Sequence, residues 1–135
     1  MTKIDVHGHY GHWNFPIPGT RRVDQLLALC EQHDIAHVAC SSVLALCYSM
    51  EEGNAEIAAD FAGHPELLGY VYVNANFLAR SVAEMDRYLS LPNFVGVKIH
   101  SSYSAVHNAD PKMQDLMAEI ARRARLVKIH SGGRT

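Results

Sequence analysis

The five residues Val97-Lys98-Ile99-His100-Ser101 recur unchanged as Val127-Lys128-Ile129-His130-Ser131. Each run is a short apolar segment in which the lysine and the histidine alternate with the apolar residues, so both polar side chains fall on one face of a strand. A helical pattern lies between the runs and begins at Asp110, which can cap a helix, with Pro111 at its first position. A strand, a helix and a second strand in this order predict parallel pairing of the two strands.

The same alternation extends outward from this unit over the whole chain. The candidate strands are Lys3–His7, Ala36–Ser41, Leu67–Val73, Phe94–Ile99 and Leu126–His130. Four stretches with apolar residues at helical spacing separate them: Val23, Leu26, Leu27 and Cys30; Ile57, Ala58, Phe61 and Ala62; Val82, Met85 and Leu89; and Met113, Leu116, Met117, Ile120, Ala121 and Ala124. The third stretch opens with Ser81 and Glu84, which have the spacing of a capping box.

The spacing of the strands predicts the fold class. The strands recur roughly every 31 residues, which is the unit length of an eight-fold barrel of roughly 250 residues. We therefore predict an α/β fold in which residues 1–135 form a single domain of parallel (β/α) units from a TIM-like barrel. With about five strands and four helices this barrel would be incomplete. An open doubly wound sheet would show the same alternation, although no glycine-rich phosphate loop follows the first strand.

Composition limits the classes of function. The chain has 135 residues, 48% of them hydrophobic and 19% charged, with a formal net charge of −2, which predicts a folded domain with a real core. The 12 basic residues are balanced by 14 acidic ones, so no nucleic-acid partner is expected. The uncharged stretch 35–50 is too short and too polar to span a membrane. Three scattered cysteines are expected to be reduced thiols, in a cytoplasmic protein without an export signal.

His7 and His9 are the most informative pair among the nine histidines. Residues two apart on a strand project to the same side, about 6–7 Å apart, so two imidazoles there can share one divalent ion. An isolated pair of this kind also occurs in ordinary loops. His130 ends a later strand, where it is either a third metal ligand or a buried histidine bonded to a neighbour. Because the carboxyl ends of parallel strands form the ligand face, we predict a metal site of His7, His9 and His130.

Other polar residues at strand ends are candidates for binding substrate or supporting the metal ligands. A lysine that points into a barrel is costly unless it is paired, so Lys98 has either a functional role or a salt bridge inside the barrel. His100 is expected to support the ligands or contact substrate, with direct ligation as the less favoured alternative. The remaining candidates are Asn74, Ser42, His12 and Trp13, of which the last two are equally compatible with a surface loop.

The runs Ile4-Asp5-Val6-His7-Gly8-His9, Gly96-Val97-Lys98-Ile99-His100 and Val127-Lys128-Ile129-His130-Ser131-Gly132 together resemble motifs of the amidohydrolase superfamily. The closer resemblance is to the amidohydrolase-related (amidohydrolase 2) group of metal-dependent hydrolases, which also contains decarboxylases, and to its amino-terminal part only. This resemblance implies a distorted (β/α)8 barrel that binds one or two divalent ions. His7 and His9 match the first-strand ligands, and His130 matches the fifth-strand ligand.

The resemblance also implies a reaction. In the family a metal-activated water attacks an amide, an ester or a related carbon centre of a small-molecule substrate. Zinc is the first choice of ion, because three imidazoles leave a fourth position open, and manganese or iron are alternatives. Lys98 matches the lysine that is carboxylated and bridges two metals in binuclear relatives. The sixth-strand histidine and the eighth-strand aspartate of the family have no counterpart here, so no catalytic proton-transfer residue is assigned.

Two further interpretations stay open. The chain is either part of an enzyme or a truncated, non-catalytic fragment that binds metal and forms a homo-oligomer through its open sheet edges. A lesser alternative is a metal-dependent phosphoesterase or nuclease, since some of these also begin with two alternating histidines. Such enzymes usually place a carboxylate at the end of a middle strand, where this chain has Asn74 and Asn76.

Overall fold

A computed structural model describes residues 2–13 and 21–130 of the chain. Five parallel strands form one sheet in the order β1-β2-β3-β4-β5, which is the sequence order. The strands are β1 (Lys3–Tyr10), β2 (Ile35–Ser42), β3 (Leu67–Tyr72), β4 (Phe94–His100) and β5 (Val127–His130). Residues 14–20 and the residues from Ser131 onward lie outside the described part of the chain. The sheet curls into half of a barrel, so the predicted fold class is confirmed.

Helices connect the strands. The helices are α1 (Val23–Gln32), α2 (Val43–Cys47), α3 (Met50–Asp60), α4 (Leu78–Tyr88), α5 (Ser101–Ser104) and α6 (Pro111–Ala121), and a 3-10 turn covers Ala75–Phe77. The four longer helices correspond to the four predicted stretches, whereas the short helices α2 and α5 directly after β2 and β4 were not predicted. The cap of α6 is confirmed, because the Asp110 carboxylate accepts a hydrogen bond from the Lys112 amide at 2.8 Å. Among the described residues, no helix is long and apolar enough to cross a membrane.

The predicted capping box at Ser81 is wrong. Helix α4 begins at Leu78, so Ser81 lies inside the helix and is fully buried. Its hydroxyl accepts a hydrogen bond from the Asn74 amide at 3.0 Å and donates one to the Asn74 carbonyl at 2.9 Å. The Glu84 carboxylate accepts a hydrogen bond from the Asn54 side chain at 2.9 Å. Both residues therefore join α4 to neighbouring elements and do not cap its first turn.

The helices cover one face of the sheet, which is its convex face. Alternate residues of the central strands, including Val71, Val97 and Ile99, are buried there against the apolar sides of α3, α4 and α6. Helix α6 contributes Met113, Leu116 and Ile120, as its spacing predicts, although Ala121 and the predicted core residue Ala62 of the second stretch are exposed. This packing fixes the opposite alternation, which contains Lys98 and His100, on the concave face.

Tyr70 shows how strongly the sheet is curled. This residue of β3 is only 2% exposed, and its hydroxyl donates a hydrogen bond to the Val6 carbonyl of β1 at 3.1 Å. Its ring also lies 4.9 Å from the Lys128 Nζ of β5. One side chain in the middle strand therefore contacts both edge strands, which a flat sheet would hold far apart.

Candidate metal centre

A pocket of about 450 Å³ lies at the carboxyl ends of β1, β4 and β5. Its lining contains the three predicted ligands, together with His100 and three further side chains: His7, His9, Trp13, His100, Ser102, Tyr103 and His130. Strand β1 extends to Tyr10, so His7 and His9 lie within the strand and not after it. The structure thus brings together histidines that are more than 120 positions apart in the sequence.

The four imidazole rings form two pairs. The rings of His7 and His9 have centroids 5.4 Å apart and are tilted by 42°. His100 and His130 are register partners in β4 and β5, and their rings stack with centroids 4.0 Å apart and an angle of 11°. Trp13 lies 5.3 Å from the His9 ring, and Tyr103 meets the His100 ring edge-on at 4.4 Å. Two aromatic side chains therefore flank the imidazoles.

Burial and positive neighbours keep three of these imidazoles neutral. Burial lowers the pKa of His9 to about 4, with smaller contributions from Lys128, His7 and Lys98. Burial also lowers the pKa of His100 to about 4, assisted by His130 and Lys98. The pKa of His7 is lowered by the same causes. Neutral imidazole has a free nitrogen lone pair, which is the state that binds a metal ion.

The donor set fits a divalent ion in type, since imidazole is a preferred ligand of zinc, iron and similar metals. The positions of the rings, in contrast, do not form a metal site in this structure, as far as the described residues show. Across residues 2–13 and 21–130, no group of three or more His, Cys, Asp and Glu side chains is arranged so that it could hold an ion. The stacked His100 and His130 rings face each other and not a common centre.

Two lysines of the concave face lie next to the histidines. Lys98 is 0% exposed, and within the described part of the chain neither its Nζ nor that of Lys128 has a hydrogen-bond partner. Burial lowers the pKa of each ammonium to about 8, and for Lys128 the charge of Lys98 contributes as well. No salt bridge of Lys98, one of its two predicted roles, is formed with a described residue.

Three other predicted candidates do not line the histidine pocket. Ser42 donates a hydrogen bond to the Glu56 carboxylate at 2.7 Å and caps α2. Asn74 caps the 3-10 turn by accepting a hydrogen bond from the Asn76 amide at 3.0 Å. His12 lines a neighbouring pocket together with Leu44, Tyr48 and Glu56.

Tyr103 is a pocket residue that sequence reasoning missed. It lies in the short helix α5, which begins directly after His100. Its amide donates a hydrogen bond to His100 Nδ1 at 3.4 Å, so the histidine both ends β4 and caps α5. The only available signal was an aromatic residue three positions after a strand-end histidine.

Solved structures share this fold over nearly the whole chain. The 5-carboxyvanillate decarboxylase of Sphingomonas paucimobilis superposes with a TM-score of 0.76 at 13% identity and covers 96% of this chain and 51% of its own. A protein described as an amidohydrolase II has a TM-score of 0.75 at 19% identity and covers 96% and 50%. The IDCase of Metarhizium anisopliae has a TM-score of 0.75 at 15% identity, also with 96% and 50%.

The chain spans about half the length of these structures. No family model and no curated protein matches the sequence. The solved structures confirm the resemblance to the amidohydrolase group at the level of the fold. Their names describe a decarboxylase and an amidohydrolase, so both kinds of enzyme have this fold.

Proposed function

We propose that this chain is part of a metal-dependent hydrolase of the amidohydrolase superfamily, in the group that also contains decarboxylases. The observation that carries the proposal is the convergence of four imidazoles from β1, β4 and β5 on one pocket at the carboxyl ends of the strands. In barrels of this type the carboxyl ends form the active site. The three cysteines are unpaired, and we propose a reducing compartment, the cytoplasm, as the site of action.

His7, His9 and His130 would hold the ion, with zinc as the first choice and manganese or iron as alternatives. The chemistry that an ion held there would supply is Lewis acidity and a bound water of lowered pKa. Binding requires the His130 ring to turn away from its stack on His100. His100 would then orient His130 and contact the substrate, and Trp13 and Tyr103 would enclose it on two sides.

A non-catalytic, metal-binding role for the isolated chain is the second candidate. One observation favours it, because the described lining of the histidine pocket contains no carboxylate that could transfer a proton. Under this alternative the chain binds zinc with the same histidines but turns over no substrate. Metal binding is common to both candidates and is therefore the property to measure first.

Zinc loading tests the proposed metal site. We expect the chain, stripped with a chelator, reloaded with zinc and dialysed, to retain about one ion per chain, because three imidazoles from β1 and β5 would supply the ligands. Elemental analysis measures the ratio. The unfolding temperature is expected to rise with zinc concentration, since an ion that binds only the folded state stabilises it. A retained ratio below about a tenth, with no thermal shift, would contradict the proposed metal site.

We further propose that the chain self-associates through its edge strands. The edges β1 and β5 carry exposed apolar side chains, namely Ile4, Val6 and Ile129, and Leu126 precedes β5. Unpaired edges with exposed apolar residues favour pairing with another chain. We expect light scattering after size-exclusion chromatography to give at least twice the 15.0 kDa of one chain.

A charged residue introduced on the edge strand distinguishes edge pairing from non-specific hydrophobic association. Val6→Lys is expected to shift the mass towards that of a monomer, because charged edge residues oppose pairing. Leu29→Lys is the matched control, since Leu29 is 41% exposed but lies in helix α1 and not in an edge strand. A monomeric wild-type chain would refute the proposal.

A further inference from the structure

The lysine pair Lys98 and Lys128 lies on the concave face, one layer deeper than the histidine pair. The two lysines are register partners in β4 and β5, as His100 and His130 are. Because lysine and histidine are two residues apart on each strand, they share a face and lie about 6–7 Å apart along it. Neighbouring strands are about 4.8 Å apart, so the two lysine side chains start side by side. The lysines therefore lie next to the histidines on the same face, and neither belongs to the described lining of the histidine pocket.

No described group forms a hydrogen bond with either ammonium, although the more distant Cys40 and Asp5 favour the charged form of Lys128 and oppose the lowering of its pKa by burial. Lys98 is fully buried, and both Nζ atoms are enclosed without a hydrogen-bond partner among residues 2–13 and 21–130. The closest favourable contact is that of Lys128 Nζ with the Tyr70 ring at 4.9 Å. Burying one unpaired ammonium is costly, and two like charges on adjacent strands repel each other. An anion placed between the two ammonium groups would offset both costs.

We propose that Lys98 and Lys128 form a binding site for the carboxylate group of a small molecule that enters through the histidine pocket. A carboxylate has two oxygens, and each can accept a charge-assisted hydrogen bond from one ammonium. The flexible four-carbon stems allow both Nζ atoms to turn towards such a group. The inference rests on the proposed function only for the route of entry and for the use of the bound molecule as a substrate or product.

A carboxylate fits this site better than a phosphate. Phosphate sites in proteins commonly add backbone amides at a helix start to their cationic side chains. The two lysines project from strands and not from a helix end, so they would supply no such amides. A carboxylate has only two oxygens to satisfy, one for each ammonium, whereas a phosphate group has at least three.

Acetate is the probe for this site, used on the full chain after chelator treatment so that no metal contributes. Carbon-13 NMR of carboxyl-labelled acetate measures its dissociation constant at constant ionic strength, with sodium chloride as the balancing salt. We expect wild type to bind acetate and Lys98→Met to bind it at least about tenfold more weakly. Methionine suits a buried position, so this variant is expected to fold, which circular dichroism checks.

Lys3→Met is the matched control, because Lys3 lies at the other end of β1, where its Nζ donates to the His33 carbonyl at 2.9 Å. It removes the same charge and is expected to leave acetate binding unchanged. Equal acetate affinity in wild type and Lys98→Met would overturn the inference. Tighter binding of inorganic phosphate than of acetate would overturn the assignment to a carboxylate.

Zinc content separates a failure of this inference from a failure of the proposed function. If wild type binds zinc but its acetate binding does not depend on Lys98, the lysine site is refuted and the metal site is supported. If acetate binding depends on Lys98 but wild type does not bind zinc, the metal site is refuted and the lysine site is supported.

Discussion

Replacement of His9 or His130 by alanine is expected to weaken zinc binding by at least about a hundredfold. Loss of a group that only supports a metal ligand already costs about 10- to 100-fold in affinity, so loss of a ligand should cost at least as much. His9 and His130 come from strands at opposite edges of the sheet and line the same pocket. If the ion joins these strands, either substitution leaves too few imidazoles to hold it.

Competition with a chromophoric chelator measures the affinity of each variant. His107→Ala is the matched control, because His107 is exposed and lies outside the pocket lining. We expect it to bind zinc as wild type does. His100→Ala is expected to fall between the two, with a loss of about tenfold, because its ring orients His130 without contacting the ion. Wild-type zinc affinity in both His9→Ala and His130→Ala would remove these residues from the metal site.

Gly53→Ala is expected to lower the free energy of unfolding by about 3 kcal/mol or more, which makes it the largest stability effect we predict. Gly53 is buried in α3, where this helix crosses α2. A Cβ atom at this position would lie 2.5 Å from the Ala45 Cα and would also overlap the Ala45 amide nitrogen. Because backbone atoms cannot rotate away, α2 and α3 would have to separate.

Urea denaturation followed by circular dichroism measures this loss. Glu52→Ala is the matched control, since Glu52 is exposed in the same helix and the substitution adds the same residue. A change within about 0.5 kcal/mol is expected for the control, as for most surface substitutions. A loss below about 1 kcal/mol for Gly53→Ala would show that the two helices can adjust to the added methyl group.

Much of the fold could be predicted because local signals and tertiary packing agree. Strands β4 and β5 are short apolar runs, and α6 begins where Asp110 and Pro111 indicate. The failure at Ser81 and Glu84 has the opposite cause. Their spacing satisfies a local pattern, but Glu84 bonds to Asn54, which is 30 positions away. Long-range partners of this kind leave no signal within a few residues of the sequence.

The pocket was predicted in part for similar reasons. Alternation places His7 with His9, and repetition of the lysine–histidine run places His100 beside His130. Ser42 ends β2 and Asn74 follows the end of β3 by two residues, yet both cap the turns that come next. A polar residue at a strand end can cap a helix or bind a ligand, and the sequence does not distinguish these uses. The stacking of His100 on His130 depends on side-chain rotation, which the spacing of residues in the sequence does not determine.

The hydrogen bond from Tyr70 to the Val6 carbonyl determines more than the position of one side chain. It links β3 directly to β1, and the Lys128–Tyr70 contact links β3 to β5. These two contacts share Tyr70 and together set the curvature of the five-stranded sheet. A further strand that paired with β5 would therefore follow a direction that this curvature already determines.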